Sequence, residues 1–417
     1  MHKKILLLLL FVFWVLPAFA QVDTAWVRRY NGPGNGRDEA RAIAVDDSGN
    51  AYVTGHSLGG GTQYDYATIK YNPNGDIAWV RRYNGPGDGG DWAHAVTVDD
   101  SGKAYVTGKS QGDYATIKYY PNGDTAWLRT YDGPGGGDDE AYAIAIDDSG
   151  CVYVTGKSSG SGTSYDYATI KYYSNGDTAW VRRYNGPVSV EDEAFALAVD
   201  DSGNVYVTGA SGGDTSFLGC TSDYATIKYD PSGNQVWASR YDRPGMFPDS
   251  AFAIAVDDSG NVYVTGYSYD SATYQDYATI KYYPNGDTAW VRRYYGPGNS
   301  WDEARAIAVD DSGNVYVTGF STGDGTDYDY ATMKYSANGE TSWVRRYDGP
   351  ASGYDAAYAL TVHDPGNVCV TGVSWGGVGS KENYTTIKYG PSGSIVWLEI
   401  YDKTGNASGG GICHSRR

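Results

Sequence analysis

Cysteine, methionine and histidine are scarce in this chain of 417 residues, which has 4 Cys, 3 Met and 5 His. The four cysteines, Cys151, Cys220, Cys369 and Cys413, stand at unrelated positions and form no Cys-x-x-Cys pair. They therefore predict neither a disulfide framework nor a zinc site. The histidines form no His-Glu-x-x-His motif. We find no catalytic constellation, and the sequence predicts no catalytic residues and no metal centre.

Basic residues are also few, with 32 Lys and Arg against 50 Asp and Glu and a formal net charge of −18. An acidic surface of this kind argues against nucleic acid and anionic membranes as partners, because both require a basic footprint. The same charge favours solubility and attracts cations.

Long apolar runs are absent beyond the first twenty residues. Residues 5–16 are apolar, follow Lys3 and Lys4, and precede the sequence Ala18-Phe19-Ala20. This run is shorter than the roughly 20 residues that a membrane helix needs, and its flanks are typical of a secretory signal peptide over residues 1–20. We expect a secreted, periplasmic or cell-surface protein without a membrane span.

No helical periodicity appears in the rest of the chain, which instead repeats one unit of about 53 residues. A tryptophan in the pattern Ala-Trp-Val-Arg-Arg-Tyr, or a variant of it, marks each unit. These residues are Trp26, Trp79, Trp127, Trp180, Trp237, Trp290, Trp343 and Trp397. A period of this length is typical of a propeller blade.

Each unit predicts four short strands, which in the first unit span residues 40–46, 51–55, 66–71 and 78–83. These segments are rich in Val, Ile, Thr, Tyr and Trp, and Gly, Asn, Asp and Pro occupy the turns. The first strand carries alanine at alternate positions, as in Ala40, Ala42 and Ala44. Small residues allow innermost strands to crowd around an axis, which favours a propeller over a sandwich. We predict an all-β fold, a seven-bladed β-propeller of four-stranded antiparallel blades, over residues 22–401.

The number of blades depends on how the fourth strands are assigned. The first three strand patterns occur seven times, whereas the fourth occurs eight times, once at each of the eight tryptophans named above. Either Trp26 or Trp397 completes the last blade. A third alternative is a chain cut short of an eighth blade. Residues 402–417 are predicted to be a C-terminal tail, and the lack of a first-strand pattern in it keeps that alternative open. We predict seven blades.

The phrase Val-Asp-Asp-Ser-Gly-Asn-Val-Tyr-Val-Thr-Gly, at residues 199–209, 256–266 and 309–319, resembles the signature of the SBBP family. The resemblance covers essentially all of residues 22–401. It implies the seven-bladed β-propeller repeat of bacterial exported proteins, and it brings no agreed activity and no catalytic residues. The last copy departs from the signature at residues 362–372, so the closing blade carries the resemblance least well.

One face of the predicted propeller is the candidate functional surface. The loop between the second and third strands (the B–C loop) absorbs the length variation of the repeats, and it opens on the same face as the connection between blades (the D–A loop). Loops on a rigid scaffold are where binding residues concentrate. Each D–A loop leads to an aspartate in the pattern Asp-x-Ala. These aspartates, a candidate structural ring or a ring of calcium ligands, are Asp38, Asp91, Asp139, Asp192, Asp249, Asp302 and Asp355.

Positions that vary from repeat to repeat on this face are the candidate ligand contacts. They follow the glycine of the second strand or the Asp-x-Ala motif. These candidates are His56, Lys109, Lys157, Tyr267, Phe320, Arg41, His94 and Arg305. We predict a binding or scaffolding module whose partner at the B–C loop face is a glycan or a protein. The alternatives are a secreted enzyme acting on polysaccharide and a structural protein of the cell surface or matrix. Calcium is the one cofactor that the pattern leaves open.

Overall fold

Seven four-stranded antiparallel sheets make up the computed structural model, which describes residues 24–216, 219–243, 247–363, 366–377 and 382–401. Every sheet follows the chain order of its four strands, so each repeat folds into one blade. The predicted all-β, seven-bladed propeller is confirmed. The segment interpreted as a signal peptide and the tail 402–417 lie outside the described residues. Within the described residues, no helix has the length and hydropathy required to cross a bilayer.

The seven blades use strands of similar length, and the strands of the fourth blade form the longest hairpin. In chain order, four to a blade, they are β1 Asp38–Val45, β2 Ala51–Leu58, β3 Tyr64–Tyr71, β4 Ile77–Tyr83, β5 Asp91–Val98, β6 Ala104–Ser110, β7 Asp113–Tyr119, β8 Thr125–Tyr131, β9 Asp139–Ile146, β10 Val152–Ser159, β11 Tyr165–Tyr172, β12 Thr178–Tyr184, β13 Asp192–Val199, β14 Val205–Ser216, β15 Gly219–Tyr229, β16 Gln235–Tyr241, β17 Asp249–Val256, β18 Val262–Asp270, β19 Tyr274–Tyr282, β20 Thr288–Tyr294, β21 Asp302–Val309, β22 Val315–Thr322, β23 Tyr328–Tyr335, β24 Thr341–Tyr347, β25 Ala356–His363, β26 Asn367–Trp375, β27 Glu382–Tyr389 and β28 Ile395–Tyr401.

The first strand begins two residues earlier than predicted, and the reason is its pairing with the second strand. In the first blade Asp38 already pairs with Ser57, so the strand includes the whole Asp-x-Ala motif. The predicted end of the strand, Asp46, instead accepts hydrogen bonds from the turn, where Gly49 has φ +78°. That left-handed conformation explains the glycine of the Asp-Ser-Gly turn.

The core lies between the blades. The alanine of Asp-x-Ala is fully buried in blades two to seven, and the first strands of consecutive blades are neighbours from β1 through β25. The third-strand tyrosine reaches the following blade, as when the Tyr66 hydroxyl donates to the Ala115 carbonyl at 3.1 Å. Small alanines therefore lie on the innermost strand, where the blades are closest together, and large tyrosines lie farther out, where the space between blades is wider.

The fourth strand joins each blade to the next one at the rim. Trp79 donates from its indole nitrogen to the Pro121 carbonyl at 3.0 Å, and Arg81 donates to the Gly123 carbonyl at 2.7 Å. At the end of the chain, β28 pairs with β27, so the strand containing Trp397 completes the seventh blade. The segment containing Trp26 belongs to none of the seven sheets.

Candidate functional site

A β-bulge interrupts the first strand of every blade directly after the Asp-x-Ala motif. In the first blade Ala40 pairs with Gly55 and Ala42 pairs with Thr54, which leaves Arg41 as the extra residue. Bulges re-aim side chains and are frequent near functional sites. The seven extra residues, which we call the bulge ring, are Arg41, His94, Tyr142, Phe195, Phe252, Arg305 and Tyr358.

The glycine of the Val-Tyr-Val-Thr-Gly phrase makes room for this bulge. A Cβ on Gly55 would lie 1.9 Å from the backbone oxygen of Glu39, and a Cβ on Gly266 would lie 1.9 Å from that of Ser250. Atoms at such a distance overlap, so only a residue without a side chain allows the bulged strand to approach. The alternating alanines of the first strand predict a regular strand and do not indicate the bulge. The glycine that recurs in the second strand is the feature of the sequence that could have indicated it.

Side chains of the bulge ring meet one another around the inner strands. The ring centroids of Tyr142 and Phe195 are 5.7 Å apart, and those of Phe195 and Phe252 are 5.4 Å apart. His94 lies 5.8 Å from Tyr142 at one end of this run, and the Arg305 guanidinium lies 4.8 Å from Phe252 at the other. We call Tyr142, Phe195 and Phe252 the aromatic arc. All three are half-buried and therefore keep part of their surface in solvent.

Carboxylates and cations pair beside the aromatic arc. His94 Nε2 lies 2.8 Å from Glu140 Oε1, and Lys157 Nζ donates to Glu193 at 2.7 Å. Burial raises the pKa of Glu140, but the hydrogen bond and charge of His94, together with the charges of Lys157 and Lys109, outweigh it and lower that pKa overall. Arg305 and Glu303 form a third pair, at 2.5 Å. The arc thus combines apolar faces with polar groups that both donate and accept hydrogen bonds.

The other predicted ligand contacts occupy different environments. His56 and Phe320 are each only 6% exposed, so both pack inside the protein rather than face solvent. Lys109 and Arg41 take part in ion pairs, Lys109 with Asp138 at 3.0 Å and Arg41 with Glu39 at 2.7 Å.

Four of the predicted contacts come together. Tyr267 is half-buried, and its ring centroid lies 5.7 Å from that of Phe252, while the Arg305 guanidinium lies 4.8 Å from the same ring. Lys157 Nζ lies 5.9 Å from the ring centroid of Tyr142. The structure therefore joins His94, Lys157, Tyr267 and Arg305 to the aromatic arc. Tyr142, Phe195 and Phe252 themselves vary between repeats at the same position as Arg41, and that variation was the signal for them.

Six of the seven aspartates of the Asp-x-Ala motif are buried and Asp38 is half-buried, and all seven hold the D–A loops. Asp91 accepts a hydrogen bond from the Gly85 N–H at 2.8 Å. Asp192 accepts from the N–H groups of Gly186 and Gly212, at 2.8 and 2.9 Å, and so ties the D–A loop to the end of the second strand. The same loop contact recurs at all seven positions. These contacts give the recurring aspartate a structural task within every blade.

Two of these aspartates also belong to clusters of three carboxylates. Asp113, Asp132 and Asp139 can bring one oxygen each within 4.8 Å of one another, and a similar cluster occurs between blades six and seven. The latter comprises Asp329, Asp348 and Asp355. Oxygen ligands of this type are those that calcium prefers. The carboxylates therefore group at two blade junctions of the described chain rather than around the axis.

Burial of the loop-holding aspartates predicts a dependence of stability on pH. Burial raises the pKa of Asp302 to about 6, against hydrogen bonds from Ser321 and two backbone N–H groups, and it raises the pKa of Asp249 to about 6. An unfolded aspartate ionises near 4, so the protonated side chain contributes stability that is present below pH 4 and is lost as the pH rises to 6.

We expect the unfolding free energy of the natural chain, relative to Asp302→Asn, to fall by about 2 kcal/mol between pH 4 and pH 6. The measurement is urea unfolding at half-unit pH steps. Asp258→Asn, in an exposed turn, serves as the control and should leave the pH profile unchanged. A difference between the Asp302 variant and the natural chain that stays constant across this window would contradict the expectation.

The pattern Gly-x-Ser-x-Gly also recurs in this part of the repeat, for example at residues 55–59 and 156–160. In the α/β-hydrolase nucleophile elbow, the serine of that pattern sits on a strand-to-helix turn. Here Ser57 and Ser158 lie within strands, are fully buried, and accept hydrogen bonds from Arg82 and Arg183. The pattern therefore belongs to the scaffold of the blade.

The repeat also matches a known protein family. Residues 25–61, 249–271 and 289–325 match the sequence model of SBBP, which is described as a beta-propeller repeat. The chain contains SBBP repeats. The resemblance noted from the signature phrase is thereby confirmed, and it agrees with the seven four-stranded blades.

Other known proteins show a more distant likeness to this chain. An uncharacterized WD repeat-containing protein, L264, of Acanthamoeba polyphaga mimivirus is 23% identical over 246 residues, which cover 47% of this chain and 17% of that protein. The chain thus spans a small part of that relative's length. A solved protein from Lactobacillus plantarum has a TM-score of 0.48 at 14% identity, covering 74% of this chain and 84% of that one. A gluconolactonase from Xanthomonas campestris has a TM-score of 0.36 at 11% identity, covering 67% and 82%.

Proposed function

We propose that this propeller is a binding module and that the aromatic arc with its flanking ion pairs is the contact surface for an oligosaccharide. The observation that supports the proposal is the continuous run of half-buried rings from Tyr142 to Phe252, bordered by His94 and Arg305. Each ring is supplied by a different blade, so the surface extends across several repeats.

The chemistry of the arc suits a ligand that has both apolar and polar faces. Aromatic rings offer large, rigid apolar area, and ligand sites place a few polar groups beside such area to fix orientation. A sugar ring presents C–H groups on its faces and hydroxyl groups at its edges. Glu140 and Glu193 provide acceptors near the arc, and Lys157 and Arg305 provide donors.

An array of neutral and acidic oligosaccharides, followed by calorimetry on the strongest binder, tests the proposal. We expect the natural chain to retain at least one oligosaccharide, and Phe252→Ala and Tyr142→Ala each to weaken its binding at least tenfold. Phe252→Tyr keeps the aromatic face and should retain most of the affinity. The expected loss corresponds to about 1.4 kcal/mol or more of binding free energy.

Tyr173→Ala is the matched control. Tyr173 is 53% exposed and lies in the turn between the third and fourth strands (the C–D turn), at the other end of the blade from the bulge. This substitution should leave binding unchanged. Retention of oligosaccharide by Phe252→Ala at full affinity would place the contact elsewhere. Retention of a displayed peptide library in place of every glycan would contradict the ligand class.

A further inference from the structure

The segment Thr24–Asn31 repeats the rim contacts of a fourth strand although it belongs to no blade. Trp26 donates to the Pro73 carbonyl at 3.0 Å, and Arg28 donates to the Gly75 carbonyl at 2.7 Å. Trp79 and Arg81, which lie in the fourth strand of blade one, make the same two bonds to blade two at the same two distances. The segment therefore stands where the fourth strand of a preceding blade would stand against blade one.

A second pair of contacts places the same segment beside the last blade. In the middle of the ring, Arg183 of blade three donates to the hydroxyl of Tyr131, the final tyrosine of blade two, at 3.2 Å. Arg82 of blade one makes this bond to Tyr30 of the segment, at 3.3 Å.

The equivalent residue of the segment is Arg29, and it donates to the hydroxyl of Tyr401, the final tyrosine of blade seven, at 2.9 Å. Blade seven therefore contacts the segment, and the segment contacts blade one. Blade seven, the segment and blade one therefore follow one another as three successive blades do. The segment corresponds to the fourth strand of the middle blade, whose other three strands are not supplied by the described residues.

The faces of blade one and blade seven on either side of the segment, which we call the walls, carry the residues of a blade junction but are not covered by another blade. Ala40 of blade one is exposed, whereas the six equivalent alanines are fully buried, and Val53 is only half-buried. Across from it, Tyr384 of blade seven is half-buried, whereas its six counterparts are at most 1% exposed. Both walls consist of the residues that receive a neighbouring blade elsewhere in the ring.

We propose that this place, which we call the eighth position, binds the first three strands of a further SBBP-type repeat from outside the described residues. Every strand of the described chain is already engaged in one of the seven sheets, and the fourth strand of the eighth position is supplied by residues 24–31. The occupant is a β-meander with the Asp-x-Ala strand, the Val-Tyr-Val-Thr-Gly strand and a third strand ending in Lys-Tyr. It pairs with the segment through its third strand.

The charge of the last blade bears on the turn that follows the occupant's third strand. At the position where Arg81 and its counterparts donate to the following blade's turn, blade seven carries the exposed Glu399. A carboxylate accepts rather than donates, so a basic side chain in that turn would add an ion pair to the contacts of the three strands.

The probe for a binding test is a labelled peptide with the sequence of residues 302–335, which are the first three strands of blade six. We expect it to bind the natural chain with 1:1 stoichiometry in fluorescence anisotropy, and Ala40→Arg to weaken binding at least tenfold. Since Ala40 is exposed, this substitution should leave the melting temperature of the free chain unchanged. Tyr120→Arg, in an exposed C–D turn, is the control for added charge.

A fusion of the same 34-residue segment after Tyr401 tests the geometry without a separate peptide. Amide exchange in β1 and β27 should then slow at least tenfold, because their uncovered walls become blade junctions. Unchanged exchange in both strands of the fusion overturns the proposal, as does equal peptide binding by the natural chain and Ala40→Arg. A concentration-dependent dimer of the natural chain that Ala40→Arg abolishes would show that the uncovered walls bind a whole folded copy instead of a free three-stranded repeat, and it would also overturn the proposal.

Discussion

Replacement of Gly55 by alanine is expected to cost about 3 kcal/mol or more of unfolding free energy. The added Cβ would meet the Glu39 backbone oxygen at 1.9 Å, and it would also lie 2.9 Å from Ala40 Cα. Because both contacts are backbone atoms of a paired strand, no side-chain rotation relieves them. The strand must shift, and the bulge that aims Arg41 would be lost with it. Chemical unfolding of the purified chain measures the loss.

Gly60→Ala is the control in the same blade. A Cβ there would lie no closer than 3.4 Å to Pro33 Cβ, which is an ordinary contact, so this substitution should change the unfolding free energy by less than about 0.5 kcal/mol. Equal effects of the two substitutions would show that the close approach at Gly55 is not what requires glycine.

The second large effect is expected at the arginine that anchors the B–C loop. Arg183 donates to Asp166 at 2.8 Å and also binds the hydroxyl and backbone oxygen of Ser158. Asp166 is only 5% exposed, so removal of the cation leaves a buried carboxylate without its counterion. We expect Arg183→Ile to lower the unfolding free energy by about 3 kcal/mol, as loss of one partner from a buried pair does.

The chain itself supplies the compensating substitution. Blade seven has Ile400 and Asn383 where blade three has Arg183 and Asp166, so an uncharged pair is tolerated at this position. The double variant Arg183→Ile with Asp166→Asn should recover at least half of the stability lost in the single variant. A double variant as unstable as Arg183→Ile would show that the lost bonds to Ser158, rather than the buried charge, decide the cost.

Blade two lacks the arginine of this pair, and one of the two acidic clusters lies at the same place. Thr130 stands in the place of the arginine, while Asp113 is retained. Burial raises the pKa of Asp113, and the nearby Asp132 and Asp139 raise it further. A cluster of three carboxylates therefore lies at this junction without the arginine that five of the blades supply. A single sequence shows the missing arginine, but it does not show that these three side chains converge.

Much of the fold could be predicted because its information is local and repeated. The spacing of the tryptophans gives the period, the Asp-Ser-Gly and Asn-Gly turns give the strand ends, and the alternation of small and large residues gives the direction of the taper. Each of these signals is repeated along the chain, so an irregular copy such as that of blade seven does not obscure them.

The candidate site was harder to predict from the sequence, because it depends on how the strands pair and which side chains then become neighbours. Phe320 and Tyr267 occupy the same position of the repeat, yet Phe320 is buried and Tyr267 is half-buried, since their neighbours differ. Phe320 packs against Tyr328, with 4.9 Å between ring centroids. Variation at a position marks it as free to differ, but exposure is set by side chains from other strands and other blades.

The sequence by itself determined the repeat, the all-β architecture, the number of complete blades and the identity of the inner strand, because turn chemistry and residue size act within a few residues of each other. Only the tertiary structure decided where the side chains point. The bulge aims Tyr142, Phe195 and Phe252 toward one another, and the contacts of Arg29 and Arg82 place residues 24–31 between the last blade and the first. Those arrangements join residues from different blades, and no local pattern in the chain encodes their distance.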